Sequence, residues 1–195
     1  MGLGLMMGMT GAIVAMNPAE SFAINFSGSY APINWTFSTS SNGLVNTTNA
    51  PTSISVTGGN NNSNNPGSTS YTVTAAGSGT VTFNWSYSTP DTNASFDPLF
   101  RVLNGSKTTL FASSVKTGSG TDSFTVATGD VFGFGIDTID NSFGAGSTTF
   151  SNFSAPDATP VPFDFDPSLG LAALGLGFGG KRLLKTFLRN KSKKD

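Results

Sequence analysis

The amino-acid sequence predicts an all-β protein, built as an antiparallel β-sandwich. The first observation is strict alternation in residues 80–87, where the apolar residues from Val81 to Tyr87 are separated by Thr82, Asn84 and Ser86. A period of two is expected of a strand that buries one face and exposes the other. The second observation is composition, because Ser, Thr, Asn and Gly fill the segments between apolar runs and are typical turn residues.

Short apolar runs of the same kind recur along the chain. They lie at residues 35–37, 54–56, 71–73, 100–103, 110–111, 124–126, 132–136 and 150–153. A spacing of about 8 to 12 residues between strands, with turn residues in between, is typical of sandwiches and jelly rolls. No segment before the C-terminal tail has helical periodicity, so we expect two antiparallel sheets and no helix in this part of the chain.

The C-terminal segment has three parts in a recognisable order. It begins with a motif of Pro162, Phe163, Asp164, Phe165 and Pro167. An apolar run rich in Gly, Leu and Ala follows at residues 169–180. Seven of the ten basic residues then lie in the last fifteen positions, beginning with Lys181, Arg182 and Lys185. An apolar segment followed by basic residues is typical of a membrane segment whose end stays in the cytoplasm.

This order of motif, apolar run and basic tail resembles the PEP-CTERM class of C-terminal sorting domains, and above all its cyanobacterial PFE-CTERM variant. Asp164 stands where that family usually has Glu. The resemblance implies an exported protein that a membrane-embedded exosortase recognises. Such a protein is anchored in the membrane in transit and then reaches the cell surface or the extracellular matrix. The family is associated with exopolysaccharide, so the resemblance also implies a structural or polysaccharide-associated role.

The apolar run is short for a membrane span. Fourteen residues separate Asp166 from Lys181, which is about 21 Å of helix against a hydrocarbon core of about 30 Å. A spanning helix would have to continue through Leu188, with Lys181, Arg182 and Lys185 reaching back to the interface. The alternative is an amphipathic helix on the membrane surface.

The N-terminus predicts a signal peptide. Residues 3–16 are apolar, and Ser21 and Ala23 are the small residues that signal peptidase recognises, which predicts cleavage before Ile24. The alternative for this segment is a buried core helix. The predicted organisation is a signal peptide (1–23), a β-sandwich domain (24–156), a linker with the sorting motif (157–167), and a membrane or sorting helix with the basic tail (168–195).

Charge and composition restrict the function of the central domain. Residues 24–157 contain three basic and seven acidic residues, a net charge of −4, which argues against nucleic acid as a partner. The chain has no Cys and no His. Disulfides are therefore excluded, and so are the commonest general base and the commonest zinc ligand. We expect no enzyme. The remaining catalytic alternative is a carboxylate pair for glycoside hydrolysis, drawn from Asp91, Asp97, Asp137 and Asp140.

Two segments of the core resemble a CUB domain. The first is residues 96–105, where Phe96 and Asp97 open a strand that ends in Asn104 and Gly105. The second is the strand at residues 131–134, which leads through Asp140 to a Gly-rich turn and a last aromatic strand. The resemblance implies a jelly-roll-like sandwich and a calcium site formed by loops at one end.

Three carboxylates are the candidate calcium ligands: Asp91, Asp97 and Asp140. They lie in the predicted loops 88–97 and 137–146, and Ca²⁺ prefers hard oxygen ligands. The alternative is that these residues only cap the backbone amides of their own turns. No other cofactor is expected. The calcium site would favour a second function, a calcium-dependent carbohydrate-binding or adhesion module, over the structural role.

Overall fold

The structure is a computed structural model that describes residues 22–158. The chain divides into two compact units, Met1–Thr159 and Pro160–Asp195, and only the first contains described residues. The predicted signal helix and C-terminal helix lie outside the described residues. Within residues 22–158 there is no α-helix, and therefore no helix there that meets the length and hydropathy of a membrane span.

Eleven strands and three short 3₁₀ turns make up this part of the chain. The turns lie at Gly28–Tyr30, Pro32–Asn34 and Ala94–Phe96. The strands are β1 (Phe22–Ile24), β2 (Thr36–Thr39), β3 (Leu44–Asn46), β4 (Ser53–Thr57), β5 (Gly67–Thr74), β6 (Gly79–Ser88), β7 (Leu99–Leu103), β8 (Ser106–Phe111), β9 (Thr117–Val126), β10 (Val131–Thr138) and β11 (Ser147–Pro156).

The strands form two antiparallel sheets. The six-stranded sheet has the order β3-β4-β11-β6-β9, with β1 also paired to β11, and the five-stranded sheet has the order β2-β5-β10-β7-β8. Every strand pairing is antiparallel. The prediction of an all-β antiparallel sandwich is confirmed.

Aromatic side chains from both sheets fill the core. Phe134 of β10 stacks on Phe150 of β11 with ring centroids 3.6 Å apart, which joins the two sheets at their centres. Trp35 is buried and its Nε1 donates to the Tyr30 carbonyl at 2.9 Å. Such offset and edge-on ring pairs add to the burial of apolar area, so the domain is held together without disulfides.

Strand β1 bears on the predicted signal cleavage. Ala23 is 6% exposed and pairs with Ala155 of β11, so Phe22 and Ala23 belong to the six-stranded sheet in this chain. Cleavage before Ile24 would remove these two residues from β1. The cleavage position stays a prediction, since Ser21 lies outside the described residues.

The outer face of the six-stranded sheet is uncharged. Strands β4, β11, β6 and β9 align there in three rows of four outward-facing side chains, all Ser, Thr or Asn. The rows are Thr57–Ser147–Ser88–Thr117, Ser55–Thr149–Ser86–Ser119 and Ser53–Ser151–Asn84–Thr121. Charged side chains commonly protect exposed sheets from non-specific association, so this hydroxyl face is unusual.

Candidate functional site at one end of the sandwich

Three loops meet at one end of the sandwich. They are residues 58–66 between β4 and β5, residues 89–98 between β6 and β7, and residues 139–146 between β10 and β11; we call them together the loop end. The Ile139 amide donates to the Phe96 carbonyl at 2.8 Å, and the Asn62 amide donates to the Asn141 carbonyl at 2.8 Å. The two acidic loops therefore converge, and the Asn-rich loop packs against them.

Asp97 lies fully buried in the loop end. Its Oδ2 accepts a hydrogen bond from Thr89 Oγ1 at 3.2 Å. The Thr138 hydroxyl lies near enough to favour the ionised carboxyl, but the buried Oδ1 receives no hydrogen bond of normal geometry. Burial raises the pKa of Asp97 to about 6; the hydroxyls of Thr138 and Thr89 oppose this rise, and the charges of Asp91 and Asp140 add to it. A carboxylate in this environment is stabilised poorly when ionised.

Asp91 is the second buried carboxylate, with 1% of its surface exposed. Its Oδ1 accepts from the Asn93 amide at 2.8 Å, but its buried Oδ2 has no partner. Thr89 links the Asp97 carboxylate to the Asp91 backbone, because its Oγ1 accepts from the Asp91 amide at 3.1 Å and donates to Asp97 Oδ2. Each acid thus keeps one oxygen unsatisfied.

Asp140 has a different environment. It is only half-buried, and its Oδ1 accepts from the Ser142 amide at 3.1 Å, as expected of a turn-forming residue. Within residues 22–158, no group of three or more His, Cys, Asp or Glu side chains is arranged to hold a metal ion. A cation at the loop end would therefore have two carboxylate ligands and need neutral oxygens to complete its coordination.

Two buried, unpartnered carboxylate oxygens need a physical explanation. Buried polar atoms are nearly always paired, and an unpaired one is destabilising by about 1 to 3 kcal/mol, more when it is charged. Two neighbouring carboxylates also repel each other. A divalent cation bound there would remove both problems at once, and Ca²⁺ accepts carboxylate oxygens together with neutral oxygen ligands.

Two grooves on the sandwich bear on the glycosidase alternative. One, of about 480 Å³, lies beside the loop end, and Asp137 is the only carboxylate among its lining residues. Asp137 forms an ion pair with Lys107. The other groove is lined by residues such as Trp35, Phe37 and Tyr71 and has no carboxylate. Neither groove offers the carboxylate pair that glycoside hydrolysis needs.

The remaining predicted site residues belong to the terminal signals. The sorting motif (Pro162, Phe163, Asp164, Phe165, Pro167), the basic residues Lys181, Arg182 and Lys185, and Ser21 lie outside the described residues. Their roles stay predictions.

Sequence reasoning missed two features of the loop end. Thr89 belongs to no motif, and only the structure reveals that its hydroxyl links the Asp97 carboxylate to the Asp91 backbone amide. Phe143 lies in a loop without alternation of apolar and polar residues, and it is 72% exposed with a φ of 63°. The sequence analysis singled out this loop for Asp140, and an aromatic residue between Ser142 and Gly144 was the signal that would have added Phe143.

No protein-family profile and no curated protein matches the chain. Among solved structures it is similar to a family 35 carbohydrate-binding module from Clostridium thermocellum, with 15% identity, a TM-score of 0.33, and coverage of 67% of this chain and 98% of that one. It is also similar to a family 11 carbohydrate-binding module from Clostridium thermocellum in complex with a β-1,3-1,4-mixed-linked tetrasaccharide, with 8% identity, a TM-score of 0.39, and coverage of 72% and 98%. At such low identities and TM-scores the likeness carries no argument about the function of this chain.

Proposed function

We propose that this chain is an exported, non-enzymatic β-sandwich that binds calcium at the loop end and acts as a calcium-dependent carbohydrate-binding or adhesion module. The observation that carries the proposal is the pair of buried carboxylates, Asp91 and Asp97, each with one unpartnered oxygen. In this proposal calcium binds the unpartnered oxygens of Asp91 and Asp97 in the loop 89–98. Asp140 of the neighbouring loop 139–146 adds negative charge nearby without being a required ligand.

The surface of the domain supports a neutral, hydroxyl-rich partner. The central domain is acidic overall, which disfavours nucleic acid and anionic surfaces. The hydroxyl face carries no charge in its three rows, so it offers nothing to an ionic partner either. Hydrogen bonding to a neutral polysaccharide agrees with both features.

Export is the second component of the proposal. The N-terminal segment is cleaved by signal peptidase, and the C-terminal motif directs the chain to an exosortase-type enzyme at the membrane before release to the cell surface. The order of motif, apolar run and basic tail supports this route. A structural protein of the exopolysaccharide matrix is the second candidate function, which the same sorting signal favours.

Thermal unfolding of the full 195-residue chain, with calcium or with a chelator, tests the calcium site. Calcium at about one hundred times its dissociation constant should add about 2.7 kcal/mol of stability, a rise in Tm of roughly 5 to 10 °C. Asp97→Asn should abolish this shift without destabilising the metal-free protein, since it removes a poorly solvated charge.

Asp130→Asn is the matched control for this experiment. Asp130 lies in the turn before β10, at the other end of that strand, so the variant should keep the full calcium shift. The calcium proposal is wrong if millimolar calcium leaves the Tm unchanged, or if the shift survives Asp97→Asn.

A further inference from the structure

Phe143 is the most exposed aromatic side chain among the described residues, and its backbone is in a conformation that disfavours it. Its φ of 63° lies in the left-handed region, where Gly and Asn are the usual residues and a bulky side chain is strained. With 72% of its surface exposed, the ring gains little from burial. A residue that strains the fold without packing into it points to a role outside the fold.

Phe143 is also held in a fixed place. On one side, the Ser142 amide donates to Asp140 Oδ1 at 3.1 Å, and Ser142 Oγ bonds to Asn64 Oδ1 at 3.2 Å. On the other side, the Gly144 amide donates to Asn60 Oδ1 at 3.3 Å. Position 144 also requires Gly, because a Cβ there would lie 2.5 Å from Pro90 Cγ. All three loops of the loop end therefore set the position of this ring.

Residues 58–66 and 139–146 are mostly polar, and Asp140 is the only charged residue among them, a composition that fits a neutral sugar. Asn62 and Asn64 belong to the packed Asn-rich loop and are exposed. Residues 58–66 and 139–146 contain no Lys or Arg. A pyranose ring presents a face of C–H groups that packs on an aromatic ring, while its hydroxyls bond to side-chain amides.

We infer that Phe143 is the stacking platform of a binding site for a neutral polysaccharide, with the Asn-rich loop supplying amide contacts to the sugar hydroxyls. The inference rests on the proposed function and names the site within it. A membrane is the competing partner for an exposed aromatic loop. Membrane-binding loops usually add Lys or Arg for anionic lipids, whereas these loops carry Asp91, Asp97 and Asp140, so the carbohydrate is favoured.

Phe143→Asn separates a binding role from a structural one, because Asn tolerates a left-handed φ. The full-length variant should keep or raise its Tm, and it should keep the calcium-dependent shift. Affinity gel electrophoresis in calcium measures binding, with a soluble β-glucan, a soluble β-mannan and dextran as neutral probes. For the polysaccharide that retards the wild type, Phe143→Asn should bind at least tenfold more weakly. Phe37→Asn, which removes a 46% exposed ring on β2, should bind as the wild type does.

Several outcomes overturn the inference. It is wrong if no neutral probe retards the wild type, if Phe143→Asn binds unchanged, or if Phe37→Asn is the variant that loses binding. Retention by polygalacturonate alone, or Phe143-dependent binding to phosphatidylcholine vesicles, would assign the ring to another partner. If calcium still raises the Tm of the wild type when one of these outcomes is found, the calcium site is supported and only the sugar site is rejected. Absence of the calcium shift in the wild type would instead remove the proposed function itself.

Discussion

An aspartate lies beside each end of strand β10, Asp130 in the turn before it and Asp97 in the loop that packs against its last residues, and the two carboxylates have opposite environments. Beside the first residue of β10, Asp130 is half-buried, and both of its oxygens are used: Oδ1 accepts from Asn104 Nδ2 at 2.9 Å and Oδ2 accepts from the Ala127 amide at 2.7 Å. These hydrogen bonds, the Ala127 amide first, lower the pKa of Asp130. At the other end, burial raises the pKa of Asp97.

The comparison distinguishes a turn-forming aspartate from a candidate ligand. The turn role explains Asp130 fully, since both of its carboxylate oxygens accept hydrogen bonds from nearby amides and the side chain is partly exposed to water. Asp97 and Asp91 are as deeply buried as core residues but keep an unpartnered oxygen each. The turn alternative therefore describes Asp130 and Asp140 well, but it leaves half of each buried carboxylate unexplained.

The pH dependence of stability should show the largest effect. The pKa of Asp97 is raised from 3.8 to about 6 in the folded protein. The folded state therefore binds the proton more tightly, and its stability falls as the pH rises through this window. We expect the metal-free protein to lose about 2 kcal/mol from this group between pH 4 and pH 7. Urea unfolding of wild type and Asp97→Asn, each with a chelator, measures the difference.

The same titration with saturating calcium should remove the fall, because a cation favours the ionised carboxylate. If the stabilities of the metal-free wild type and of Asp97→Asn change with pH in the same way between pH 4 and pH 7, the buried environment assigned to the Asp97 carboxyl is wrong.

Thr89→Val should have the next largest effect. This near-isosteric change removes the hydroxyl that accepts from the Asp91 amide and donates to Asp97. It leaves two buried polar groups without that partner, so we expect a loss of about 1 to 3 kcal/mol in the free energy of unfolding. The variant should also bind calcium less tightly, since the Asp97 carboxylate loses a hydrogen bond that positions it and the Asp91 backbone loses the acceptor of its amide.

Thr148→Val is the matched control for this change. Thr148 is fully buried on β11, and its Oγ1 has no hydrogen-bond partner. Removing this hydroxyl should leave stability unchanged or raise it. Equal losses in the two variants, measured by urea unfolding, would mean that side-chain volume and not the Thr89 network determines the result.

The sequence predicted strands well where apolar residues alternate and poorly where glycines replace them. Alternation located β6 almost to its ends. Strand β9 is an example of the failure, because only its last three residues were predicted, whereas it begins at Thr117. Gly120 lies at an inward-facing position there, under the indole of Trp85, and a Cβ would come 2.7 Å from Trp85 Cζ2. The Trp85 ring of β6 fills the inward-facing space beside Gly120, so this part of β9 shows no alternation of apolar and polar residues.

The candidate site was predictable only as residue types. The acidic loops identified Asp91, Asp97 and Asp140, but nothing in the sequence separates the two buried acids from the third. Burial and unpartnered oxygens depend on how distant loops pack, as when Ile139 bonds to Phe96. The Asn-rich loop contains no apolar residue that would predict where it packs. Its role as a packed neighbour of Asn141 and Ser142 depends on contacts about eighty residues apart in the chain.

The smallest expected effect is at the other end of β10. Asn104 Nδ2 donates to Asp130, and its Oδ1 accepts from the Val131 amide at 2.9 Å. Because the pKa of Asp130 is lowered in the fold, its ionised form contributes stability that is present above its usual pKa and is lost as the pH falls through the lowered value. Asn104→Ala should raise the pKa of Asp130 towards 3.8 and flatten this acid-side loss, with no change in the calcium response. Following the Asp130 carboxyl by NMR during an acid titration measures the shift. If Asp130 titrates in Asn104→Ala as it does in the wild type, the Ala127 amide alone keeps the pKa of that carboxyl low. If the variant has an altered calcium response, the two ends of β10 are coupled.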